Sequence, residues 1–76
     1  MIKLKGVLVA PGNKVLVAYD GEATEVVVVM FSDDHEFVKV RPVMAQMFKG
    51  VDLSMWMKTS EFAKAFRQKL YSEELI

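Results

Sequence analysis

Cysteine is absent, so neither a disulfide nor a thiolate metal site can staple the fold. A single histidine leaves a zinc site short of nitrogen ligands. Long apolar runs are missing too. The longest, Val26–Phe31, has six residues, whereas a membrane-spanning helix needs about 20. The start, Met1-Ile2-Lys3-Leu4-Lys5, alternates and then meets Gly6, which does not suit a signal peptide. Excess charge of either sign is lacking, with ten Lys and Arg against ten Asp and Glu. That balance removes any global attraction to nucleic acid or anionic membrane, and argues against an acidic DNA mimic. There is no G-x-x-x-x-G-K-[ST] phosphate loop, no G-x-S-x-G nucleophile turn, no calcium loop and no internal repeat. The expectation is one domain over residues 1–76, cytoplasmic, without cofactor or metal, and not an enzyme.

What is present is apolar residue, at 53% of the chain. That exceeds the usual share of about 45–50%. A chain this short has a modest core, so surplus apolar surface is expected to stay exposed or to be covered by a partner. The run Val26-Val27-Val28-Val29-Met30-Phe31 holds four β-branched valines and reads as a central strand. Alternation would place Val26, Val28 and Met30 on one face and Val27, Val29 and Phe31 on the other. Both faces then need cover.

Residues 2–10 read as a strand bent or bulged at Gly6, and Pro11-Gly12-Asn13 as a hairpin turn into a second strand, 14–20. Asp20-Gly21 is a second turn signal, and 36–41 a fourth strand ended by Pro42. Met44, Met47, Phe48 and Val51 have helical spacing, which predicts a short helix near 43–49. Residues 52–58 are ambiguous. Leu53, Met55 and Met57 alternate with Ser54, Trp56 and Lys58, and a short fifth strand is preferred to a helix. Phe62, Phe66 and Leu70 predict a C-terminal helix near 60–72, capped by Thr59 or Ser60.

The fold expected is therefore α+β, with a four- to five-stranded antiparallel sheet or a small partial barrel. Its order of elements resembles that of small SH3-like barrels, a likeness of order that implies no activity. In such a barrel the Phe62/Phe66/Leu70 stripe would cover the outer face of the valine strand. In the alternative, an open sheet, a second subunit would cover it.

Asp33-Asp34-His35-Glu36 is the densest group of polar ligands, and it reads as a solvated turn. Two binding surfaces remain. The first is the methionine-rich stretch, with Met44, Met47, Phe48, Leu53, Met55, Trp56 and Met57 as partner-binding residues. It makes a non-enzymatic protein-interaction module the leading expectation: a homodimer, or an inhibitor or adaptor of a larger machine. Phage and mobile-element accessory proteins that block a host factor are often of this size. The second surface is basic, comprising Lys3, Lys5, Phe37, Lys39 and Arg41. If those strand faces adjoin, single-stranded nucleic-acid binding is the alternative.

Overall fold

The computed structural model describes residues 1–43 and 53–70. It is α+β: a five-stranded antiparallel sheet, a two-stranded sheet and one short helix. The helix expected near 43–49, with Met44, Met47 and Phe48, lies outside the described residues apart from Val43.

Strands β1 (Ile2–Leu4) and β2 (Val7–Val9) form a hairpin of their own. Lys5 (φ 50°) and Gly6 (φ 80°) make the two-residue connection. Positive φ at both positions is the signature of a type I′ turn, whose twist matches that of paired strands. The bend or bulge expected at Gly6 is thus a full reversal. Lysine is a poor residue for the left-handed conformation, which costs roughly 1–2 kcal/mol outside glycine and asparagine-like residues. Lys5→Asn is therefore expected to raise the urea midpoint, by about 0.5–1 kcal/mol of stability.

Pro11 and Gly12 (φ 94°) form the next turn, closed by the Asn13 N–H donating to the Ala10 carbonyl at 3.0 Å. Asn13 Oδ1 accepts in return from the Ala10 N–H at 2.8 Å. The turn is where the sequence places it, yet the strands on either side do not pair. It carries the chain from the hairpin into the second sheet.

That sheet contains β3 (Lys14–Tyr19), β4 (Glu22–Phe31), β5 (Phe37–Pro42), β6 (Met55–Lys58) and β7 (Phe66–Leu70). The order across it is β6-β5-β4-β3-β7. Asp20 and Gly21, at φ 50° and 82°, turn β3 into β4. A four-strand meander, β3 to β6, is followed by a short helix and by β7, which returns to pair with β3. Helix α1 (Thr59–Ala65) is only seven residues long, and Phe66–Leu70 pairs with β3. The helix expected near 60–72 therefore stops at Ala65. Without β7, β3 would leave its outer backbone groups unpaired, a demand that local helical spacing cannot register. An extra residue on β7, Arg67, shifts the register between Leu16 and Val17. Its Nη1 turns back to donate to the carbonyls of Lys64 (3.0 Å), Ala65 (3.3 Å) and Phe66 (3.1 Å), closing the helix end. Neither Thr59 nor Ser60 caps the N-terminus, since Lys58 stands at that position without a side-chain cap. Thr59 instead donates its hydroxyl to the His35 carbonyl (2.7 Å) and its N–H to the Glu36 carbonyl (2.9 Å).

One face of the sheet forms the core. Val15, Val17, Val26, Val28, Val38, Val40 and Phe66 are buried there with Val9 of the hairpin and Phe62 and Ala65 of α1. Ile2, Leu4 and Val7 pack on the same core, so the hairpin is a second layer. The sheet is strongly coiled. In a flat sheet β3 and β6 would lie ~14 Å apart, yet the Tyr19 hydroxyl donates to the Met57 sulfur at 3.1 Å. Burial and the negative charge of Glu61 raise the Tyr19 pKa above its ordinary value.

Two expectations about the valine strand need correcting. A bulge between Val28 and Met30 flips the alternation, so Phe31 pairs with Val38 and packs on the core while Met30 is exposed. Phe62 and Phe66 lie with Val26 and Val28 in the core cluster. They do not cover the opposite face.

Candidate functional site

The opposite, outer face of the five-stranded sheet gathers the side chains most suited to binding. Since Val38 and Val40 point into the core, Phe37, Lys39 and Arg41 of β5 point outward. On β6, Met57 packs on the core, so Trp56 and Lys58 join them outside. The register pairs Phe37 with Lys58 and Lys39 with Trp56. Aromatic and basic side chains therefore alternate both along and across the two strands. Phe37 and Trp56 are diagonal neighbours, roughly 7–8 Å apart at the backbone. Trp56 is 48% exposed and Phe37 42%. The Lys39 ammonium lies 5.9 Å from the centroid of the Trp56 ring, a cation–π contact.

The face extends inward over β4 and β3. Met30, 45% exposed, is paired with Lys39, and half-buried Val27 with Arg41. Lys14 pairs with Val27 and with Leu70 of β7. Among the described residues, the outer face thus carries four cations, Lys14, Lys39, Arg41 and Lys58, and one carboxylate, Glu25, opposite Leu16 on β3. Asp33, Asp34 and Glu36 are drawn off into the β4–β5 turn, and Asp20 sits in the turn at the other end of β4. These turns lie at the two ends of β4. A chain with no net charge thus has a locally basic face.

The Asp33–Glu36 turn is occupied with its own geometry. Asp34 Oδ1 accepts from the Ser32 hydroxyl (2.8 Å) and from the Glu36 N–H (2.9 Å). Those bonds hold its carboxyl below the usual pKa, the Glu36 amide contributing most. His35 is left-handed (φ 62°) and stacks on Phe31 at 5.8 Å. Among the described residues, no three of His, Asp and Glu are placed to hold a metal ion.

The structure divides both surfaces read from the sequence. Of the basic set, Phe37, Lys39 and Arg41 come together. Lys3 sits on the hairpin, whose Ile2 and Leu4 pack on the core from the far side, and Lys5 is in its turn. They therefore lie across the core from the Phe37 face. Of the methionine-rich set, Trp56 belongs to the basic face, while Met55 and Met57 share the core side of β6. Met57 is packed, whereas Met55 is 56% and Leu53 38% exposed. Lys58 and Lys14 were not singled out from sequence. Lys58 could have been, two residues from Trp56 in an alternating stretch; Lys14 needs the β3–β4 register.

Among the described residues, no helix is long and apolar enough to cross a membrane. No family model, curated protein or solved structure matches this chain.

Proposed function

We propose that this protein is a non-enzymatic module that binds single-stranded nucleic acid on the outer face of β5 and β6. One observation carries the reading. Phe37 and Trp56 stand exposed as diagonal neighbours, alternating with Lys39 and Lys58. Exposed aromatic rings give bases a sequence-tolerant stacking surface, and flanking cations follow the phosphates. A duplex offers no free base faces to such a platform. Four cations set the strength of the charge contribution. For a single strand the logarithm of affinity falls with the logarithm of salt by about 0.7 per phosphate neutralised. Four contacts give a slope of about −3, or roughly 50-fold weaker binding at 200 mM than at 50 mM salt. Fluorescence anisotropy of a labelled oligo-dT about a dozen nucleotides long measures this directly. Saturable binding with that slope supports the reading. No binding at 50 mM salt, or binding indifferent to salt, overturns it.

A second reading, the protein-interaction module, draws on a different observation. Leu53 and Met55 are exposed, and among the described residues β6 is an edge strand of the sheet. An edge strand with apolar neighbours is a template for strand addition, including by a second copy of the chain. Sedimentation equilibrium tests the homodimer. A dimer disrupted by Met55→Lys supports it, and a strict monomer at high concentration removes it.

A further inference from the structure

An open cleft of about 420 Å³ lies where the β4–β5 turn meets the start of α1. His35, Glu36, Phe37, Lys58, Thr59 and Ser60 line it. Its volume falls in the range of small-molecule sites, roughly 300–1,000 Å³. Phe37 and Lys58 also belong to the proposed binding face, so the cleft adjoins that face. Backbone bonds fix its rim. The Glu36 N–H donates to Asp34 Oδ1 at 2.9 Å, and the Glu36 carbonyl accepts from the Thr59 N–H at 2.9 Å. The Thr59 hydroxyl is engaged by the His35 carbonyl at 2.7 Å. The Glu36 carboxylate, the Lys58 ammonium and the Ser60 hydroxyl have no partner among the described residues. All three residues are exposed, so a ligand can reach them.

A carboxylate here repels a phosphate, so the cleft suits a base and not the sugar–phosphate backbone. An ionised carboxylate only accepts, through two oxygens side by side. It matches a base edge that carries two adjacent donors. Among the four DNA bases guanine alone has one, N1–H beside the N2 amino group, with the O6 acceptor next in line. Thymine has a single N–H between two carbonyls. Adenine and cytosine each set one amino group beside a ring-nitrogen acceptor. The Lys58 ammonium is a donor suited to O6. Phe37 supplies a ring on which the base can stack.

We infer that this cleft reads one guanine of the bound strand, Glu36 accepting from N1–H and the N2 amino group while Lys58 donates to O6. This rests on the nucleic-acid reading above and adds one selective position to a sequence-tolerant face.

The test uses the same oligo-dT with one central thymine replaced by guanine, adenine or hypoxanthine. The strand can slide until that base meets the cleft. Wild type is expected to bind the guanine strand about tenfold more tightly than the adenine strand, the discrimination of one bidentate contact. Hypoxanthine, which lacks only the N2 amino group, should fall between them. Glu36→Gln puts a donor in place of one acceptor oxygen. It should bring the guanine and adenine strands to equal affinity while binding of plain oligo-dT is retained. Equal wild-type binding of guanine and adenine strands overturns the guanine cleft and leaves the stacking face standing. So does hypoxanthine binding as tightly as guanine, or a guanine preference that survives Glu36→Gln. Failure of every strand to bind overturns both.

Discussion

Phe62→Ala is expected to lower the melting temperature by roughly 15 °C or more, or to leave no folded protein at ambient temperature. Phe62 is completely buried, and α1 is a seven-residue helix. A helix that short is marginal by itself and depends on the face it buries. Here that face is Phe62 and Ala65. Phe62 also meets Phe66 of β7 at 6.4 Å between ring centroids, tilted by 51°. One side chain thus ties the helix to the strand that follows it. Removing such a ring costs about 3–5 kcal/mol. A domain of 76 residues has roughly 4–11 kcal/mol to lose. Phe62→Leu keeps most of the volume and is expected to cost far less. Thermal denaturation followed by circular dichroism checks both variants. An alanine variant that melts with wild type would mean that this core is wrongly assigned.

Trp56→Ala is expected to weaken oligo-dT binding by roughly 5- to 150-fold, the range for losing one stacked base at about 1–3 kcal/mol. Stability should hardly change. Trp56 points away from the core on an edge strand, and the Lys39 contact it would lose is worth about 0.5–1 kcal/mol at an exposed site. Phe37→Ala should act in the same direction. The contrast with Phe62 is informative: two aromatics on neighbouring elements, one serving the fold and the other the surface. Unchanged affinity in Trp56→Ala, with the fold intact, would remove stacking from the account.

Where sequence and structure agree, the signal was local. The valine run, the Pro11-Gly12 and Asp20-Gly21 turns, and the alternation that puts Trp56 opposite Met55 and Met57 are all fixed by neighbouring residues. The disagreements arise where a distant partner decides. Phe62, Phe66 and Leu70 are spaced for a helix, and only the open edge of β3 makes Phe66–Leu70 a strand. Nothing in Val28-Val29-Met30 announces the bulge that sends Met30 outward and Phe31 inward. Lys5-Gly6 could serve a bulge as well as a reversal, because both use a residue with positive φ. The candidate site shows the same division. Phe37, Lys39 and Arg41 follow from alternation along one strand. Their union with Trp56 and Lys58 follows from the β5–β6 register, and Lys3 and Lys5 drop out because their hairpin packs on the far side of the core. Zero net charge describes the whole chain and not its distribution: among the described residues, four cations and one carboxylate lie on one face.

The single tryptophan makes the central claim directly measurable. Its emission reports on the proposed face alone, without a label or a substitution. Titrating oligo-dT at 50 mM salt should quench Trp56 saturably, and raising the salt should restore the emission along the same slope that weakens binding. Emission that stays unchanged while the oligonucleotide binds would place the site elsewhere. Unchanged emission with no binding would contradict the nucleic-acid account altogether.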